Sequence, residues 1–311
     1  MKGLALVVGV NGQDGSFLAK HLYHQSWNVQ GIGRQNYPRV GVNCYLSNYI
    51  QMDIADLLSF KQVLDQLQPD IIFYAAAVHG PAGYIYEDVW LAAHQVNTLS
   101  LQAALEHARL AKKRVKIVYL SSGKVFGELG GKEIVEESCK FNNCIYSITK
   151  NTSASLVDYY RQKHAVDASL IWLFNHESEW RANDFFVKKI VRIVAKSMTD
   201  LNYREEVKTL DFWCDWGHAD EFMFLLAKHC KTLGAEDYIL ATGRTVWARD
   251  VVKEFFSLNG LEIDRHITAQ YTSEKDNNEC WTANIDKFRT KTNEYPKISG
   301  TDVFVKVLSK L

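Results

Sequence analysis

Short apolar runs alternate with stretches of helical spacing over the first half of the chain. Leu4–Val8, Val29–Gly33, Ile50–Ile54, Ile71–Ala75, Val115–Leu120 and Ala168–Leu173 read as strands. Ser16–Gln25, Leu57–Leu67, Trp90–Ala111 and a segment through Tyr146 to about Lys163 read as helices between them. Ile71–Ala75 is continuously apolar, as a strand covered on both faces must be. Strands regularly alternating with helices predict a parallel, doubly wound α/β sheet. Beyond Phe174 the alternation lapses. A loop, a helix over Phe185–Ala195 and a variable stretch to Lys208 precede a helix over Trp216–Lys231 and a strand over Tyr238–Ala241. Two further helices are expected at Ala248–Leu258 and Thr301–Leu311.

The first strand is followed by Gly9-Val10-Asn11-Gly12-Gln13-Asp14-Gly15 and then a helix. Strand, glycine turn and helix together make a phosphate site: the glycines allow close backbone approach, and the helix N-terminus offers free N–H groups. This predicts a Rossmann-type domain over 1–174, with 211–242 returning to it, and a smaller C-terminal α/β substrate-binding domain from 175–210 and 243–311. Arg34 ends the second strand, where an acidic residue would hold an adenosine 2′-hydroxyl; a cation there suits the 2′-phosphate of NADP. Asp53 could accept from an adenine amino group or simply cap the next helix. The small residues Ala75, Ala76 and Ala77 would let a dinucleotide pass.

Val115–Leu120 delivers Ser121-Ser122-Gly123-Lys124 to its carboxyl end, where open α/β sheets bind ligands. Downstream, Tyr146 and Lys150 are four apart and share a helix face. An ammonium beside a phenol favours the phenolate, which would make Tyr146 an acid or base for carbonyl–alcohol interconversion. With fifteen tyrosines in the chain such a spacing recurs, at Tyr159 and Lys163. Tyr159 lies roughly 140° round the same helix, so the two pairs cannot serve one site.

The 311 residues suffice for a sizeable core, and 36 basic against 36 acidic residues argue against a nucleic-acid or membrane-surface partner. Six scattered cysteines without a C-x-x-C spacing read as reduced thiols, and no metal-ligand cluster stands out. With no leader before the first strand and no apolar run long enough to span a bilayer, a cytoplasmic location is expected.

Taken together these stretches resemble the extended short-chain dehydrogenase/reductase superfamily, and within it the GDP-mannose 4,6-dehydratase family. The residues carrying the resemblance are Gly9 to Gly15, Leu173-Phe174-Asn175-His176-Glu177-Ser178, Asp215-Trp216-Gly217-His218-Ala219 and Ala241-Thr242-Gly243. The resemblance implies that Gly9, Gly12, Gln13, Asp14 and Gly15 hold the cofactor diphosphate, Arg34 the NADP phosphate, and Asp53 with Ile54 the adenine. It also implies a catalytic set of Ser122, Tyr146 and Lys150, with Lys150 gripping the nicotinamide ribose, and substrate contacts from Asn175 and Lys189. A homodimer is expected on the same analogy, through the helix after the fourth strand and the Tyr146 helix.

One departure matters most. Dehydratases of this kind carry Thr-x-Glu where this chain reads Ser122-Gly123-Lys124, and that glutamate removes the proton that starts elimination. A protonated lysine is a poor base. The family's arginine before Asp215 is Cys214 here, which weakens the case for GDP; Lys189, Arg181 or Lys275 could compensate. The reading that follows is an NADPH-dependent reductase of a nucleotide-linked 4-keto-6-deoxy sugar, GDP-linked by preference, serving deoxysugar synthesis for surface polysaccharide. The alternatives are a 4,6-dehydratase, a C4 epimerase or 4-dehydrogenase with retained cofactor, and, remotely, a non-catalytic NADP-sensing regulator.

Overall fold

The computed structural model describes residues 2–127, 130–270 and 274–311. Seven parallel strands form the main sheet in the order Asp237–Leu240, Asp167–Leu173, Lys116–Leu120, Ile71–Tyr74, Leu4–Val8, Asn28–Gly33, Asn48–Gln51. Sequence order reverses between Leu4–Val8 and Ile71–Tyr74, which puts the ligand crevice at their carboxyl ends. The sheet is covered on both faces, which is why its central strands need no polar alternation. Phe60, Leu64, Leu101, Leu105, Val157 and Tyr160 fill one face, from helices Leu57–Leu67, Ser100–Leu110 and Ile145–His164. Phe17, Leu18, Leu22, Phe222, Met223 and Leu226 fill the other, from helices Gln13–His24 and Ala219–His229.

A third core gathers helices Phe186–Ser197, Ala248–Leu258 and Thr301–Leu308 around Cys214 and Trp216. A three-stranded sheet of Thr245–Trp247, Trp213–His218 and Asn175–Glu177 joins this smaller body to the large one. The helix expected over Trp216–Lys231 is therefore a strand to His218 and a helix from Ala219 to His229. Packing against the main sheet accordingly resumes at Ala219, not at 211.

The expected long helix over Trp90–Ala111 is also interrupted. Gln95–Leu99 forms a π turn between two α-helical segments. The extra residue aims polar groups at the Tyr146 helix: Asn97 Nδ2 donates to Thr149 Oγ1 at 3.0 Å and Thr98 Oγ1 to the Thr149 carbonyl at 3.2 Å. Ser153 Oγ returns a bond to the Asn97 carbonyl at 2.7 Å. Such π turns are common beside functional sites, and this one fixes the helix that carries Tyr146 and Lys150. Among the described residues no helix is long and apolar enough to cross a membrane.

Candidate active site

The glycine turn occupies the crevice as its sequence requires. Gly9 has φ +86°, and a Cβ there would lie 2.8 Å from the backbone of Ala76. A Cβ on Gly15 would lie 2.3 Å from the Gly9 carbonyl, so the helix can start this close to the strand only without one. Helix Gln13–His24 begins at Gly12 with no side-chain cap, leaving its first N–H groups available to an anion. Gly9, Gly12, Ile54, Ala75, Ala76 and Arg34 line one continuous pocket, together with Asn11, Met52 and Val96. These residues suit a dinucleotide: an uncapped helix end for phosphates, small residues beneath, and a cation at the rim.

Three nucleotide-site expectations change. The Asp53 side chain is turned to its own backbone, accepting from Ala55 N at 3.0 Å, and the helix cap is Asp56, which accepts from Ser59 N at 3.2 Å. Gln13 and Asp14 point their side chains away from a diphosphate, toward the segment after Phe174. Gln13 donates to the His176 carbonyl at 3.1 Å and accepts from Ser178 Oγ at 2.8 Å. His176 faces an acceptor at each ring nitrogen, the Phe174 carbonyl at 2.6 Å and Asp14 Oδ1 at 2.9 Å. Two acceptors require two N–H donors, so His176 is an imidazolium. Burial opposes both charges, but the pairing outweighs it: the Asp14 carboxyl is held down at about 2 and the imidazolium is favoured. The first turn of the nucleotide helix is thus bolted to the substrate-side strand through a buried ion pair.

At the other end of the crevice, Ser122, Tyr146 and Lys150 converge on one cleft with His79, Asn175, Arg181 and Phe185. Ser122 caps the 3-10 turn Gly123–Phe126, its Oγ accepting from Lys124 N at 3.2 Å. Lys150 Nζ donates to the Leu120 carbonyl at 2.9 Å, and burial pulls its ammonium down to about 7. Burial pushes the Tyr146 phenol well above its ordinary value, against the pull of a Ser122 hydrogen bond and the Arg181 charge. The expected lowering of the Tyr146 phenol by the Lys150 ammonium is thus outweighed by burial. Desolvation outweighs the lysine, whose nitrogen is committed to a carbonyl and lies 5.7 Å from the ring centroid. The rival Tyr159 is half exposed on the helix surface, away from this cleft.

Sequence reasoning missed His79 and Tyr86. His79 stacks on Tyr146 with centroids 4.6 Å apart, and its Nδ1 shares a proton with Tyr86 Oη at 2.9 Å. Their signal was weak, since both come from the irregular stretch after the fourth strand. Lys189 leaves the site altogether, its Nζ donating to the Glu206 carbonyl at 2.7 Å. Lys275 pairs with Asp250 and covers Trp213, so of the three possible compensating cations only Arg181 lines the cleft. Asn175 donates to the Cys214 sulfur at 2.8 Å. From there the cleft continues past Phe174 and Cys214 to Trp213 and Trp281, and then to Trp247. The later signature is structural: Asp215 accepts from both Thr242 N and Thr242 Oγ1, tying the strand Trp213–His218 to the turn at Thr242.

Comparison with known proteins agrees with this geometry. The model of a family described as GDP-mannose 4,6 dehydratase matches residues 6–300. The GDP-mannose 4,6-dehydratase sdnI of Sordaria araneosa is 28% identical over 269 residues, 84% of this chain and 48% of the relative. The chain thus spans about half of that relative's length. Among solved structures, dTDP-glucose 4,6-dehydratase of Bacillus anthracis in complex with NAD superposes with a TM-score of 0.82 at 14% identity, over 98% of this chain and 95% of that one. RMD from Pseudomonas aeruginosa complexed with NADPH gives 0.81 at 17%, over 99% and 98%. The chain belongs to the GDP-mannose 4,6 dehydratase family.

Proposed function

We propose that this chain reduces C4 of a nucleotide-linked 4-keto-6-deoxy sugar, GDP-linked by preference, at the expense of NADPH. The nicotinamide supplies the hydride when bound. The chain's own groups do the rest. Ser122 hydrogen-bonds the sugar oxygen, Tyr146 protonates it, and Lys150 anchors the ribose beside Tyr146. Arg34, exposed at the pocket rim, supports NADP over NAD. The indole of Trp281, partly exposed along the cleft, offers a flat face for the nucleotide end of the substrate. The outward sides of the two helices expected to pair copies of the chain expose Leu91, Leu99 and Tyr159, which supports a homodimer.

One observation carries the choice of reduction over elimination. Lys124 stands where elimination needs a carboxylate, and the only acid among the described residues lining the catalytic cleft is Asp14, committed to His176. The 4,6-dehydratase reading is favoured by the family's own description and by the name of the Sordaria relative. Incubation with NADPH and a GDP-linked 4-keto-6-deoxy sugar decides between them. Stoichiometric loss of the reduced-nicotinamide absorbance is the expected result. Turnover of GDP-mannose without net cofactor use would establish the dehydratase instead, and Lys124→Glu is expected to gain some of that turnover.

A further inference from the structure

Tyr146 stands in a cluster of rings with a cation at either margin. His79 and Tyr86 flank it, with centroids 4.6 and 5.6 Å away, and Phe185 lies 5.6 Å beyond His79. Arg181 covers Phe185 at 3.9 Å. At the opposite margin Lys124 Nζ sits over Tyr86 at 5.6 Å and over Tyr146 at 6.0 Å. Its backbone is fixed on both sides: Ser122 caps its N–H, and a Cβ on Gly123 would lie 2.9 Å from the Phe174 ring. Lys124 is therefore a second ammonium at nearly the distance of Lys150 from the Tyr146 ring, 6.0 against 5.7 Å, exposed where the cleft continues past Phe174.

We propose that Lys124 is the positioning cation of the proton transfer, stabilising the phenolate that Tyr146 leaves when its proton passes to the sugar oxygen. This rests on the reductase reading above. In that step the carbonyl carbon receives hydride with its electron pair, the oxygen takes the Tyr146 proton, NADPH is oxidised, and solvent returns a proton to the phenolate. The other groups facing Tyr146 do not take this part. Asp14 is paired with His176, and Arg181, whose charge also favours the phenolate, is shared with buried Glu177 at 3.5 Å. Burial and the surrounding cations keep His79 neutral. Tyr86, Tyr119 and Ser122 carry no charge. Lys150, sunk beneath the sheet end, loses part of its charge near neutrality. The lysine that removes a base for elimination would thus supply the charge that reduction uses.

The test compares wild type, Lys124→Met and Lys124→Arg, each saturated with NADP+, by ultraviolet difference titration of tyrosinate with Tyr146→Phe as the blank. An opposite charge at this range shifts a titration by about one unit. Lys124→Met is therefore expected to raise the Tyr146 midpoint by about one unit and to move the alkaline limb of kcat upward equally. A kcat loss of about tenfold at neutral pH, an unchanged KM for NADPH, and recovery in Lys124→Arg complete the expected result. A midpoint unmoved in Lys124→Met, or an equal loss in the arginine variant, would overturn it. The titration needs no sugar, so failure of the substrate reading would show separately, as a shifted midpoint without reductase turnover.

Discussion

At the nucleotide end of the crevice the binding surface is backbone and small residues: Gly9, Gly12, Ala75 and Ala76 make room, and the uncapped helix supplies donors. At the sugar end it is large side chains from distant segments, with Tyr146, His79, Tyr86 and Arg181 brought together from two irregular segments and a helix. The first end tolerates little change because a Cβ has nowhere to go. The second is built from exchangeable side chains. A shared cofactor surface with a re-chosen sugar surface lets one fold keep hydride transfer while the later step varies. The buried pair Asp14–His176 is the bolt between the two ends.

The largest effect should come from removing the one group that only chemistry needs. Tyr146→Phe keeps the ring against His79 and Tyr86 but has no proton to give. Turnover should fall about 10³-fold, with NADPH affinity within twofold of wild type by fluorescence titration. A matching loss of cofactor affinity would mean that the two ends are not separable.

Next comes the bolt. His176→Ala leaves the part-buried Asp14 carboxylate without its partner, which should cost about 1 to 3 kcal/mol in a denaturant melt. Adding Asp14→Asn should recover much of that cost, since the uncompensated charge goes with it. The pH dependence follows from the two shifts. The depressed Asp14 carboxyl contributes stability that is present above about pH 4 and lost as pH falls toward 2. The raised His176 contributes stability that is full below about pH 6.5 and lost as pH rises through its folded value. His176→Ala should abolish the alkaline loss and, because the imidazolium is the main group holding the Asp14 carboxyl down, shrink the acid loss as well.

The same contrast decides what could be read in advance. Leu4–Val8 and Leu57–Leu67 end where periodicity places them, because local pattern and burial agree there. Ser122, Tyr146 and Lys150 were legible because spacing, strand end and helix face coincide. Trp216–His218 reads as the start of a helix because the short buried strand Trp213–His218, of aromatic and polar residues, has neither period. The π turn at Gln95–Leu99 leaves no mark in hydrophobic spacing, since its cause is hydrogen bonding to a helix some fifty residues later. Asp14 and Lys189 were assigned to ligands by position, yet their partners, His176 and the Glu206 carbonyl, are choices of tertiary packing. Polar residues with distant partners are the ones that sequence alone misplaces.

The smallest effect tests the nucleotide end by charge rather than by shape. Arg34 follows the second strand, exposed at the rim of the Gly9–Ala76 pocket. A charge-assisted hydrogen bond to phosphate is worth about 1.5 to 3 kcal/mol, and exposure takes the lower figure, so about tenfold in affinity. Arg34→Ala should therefore lower the preference for NADPH over NADH about tenfold, by raising KM for NADPH and leaving NADH unaffected. The loss should shrink as salt rises, because the contact is exposed. If both cofactors weaken equally, Arg34 stacks on adenine instead of reading the phosphate. If neither changes, the rim cation is incidental and the choice between cofactors lies with Asn11 and Gln35, which share the pocket wall.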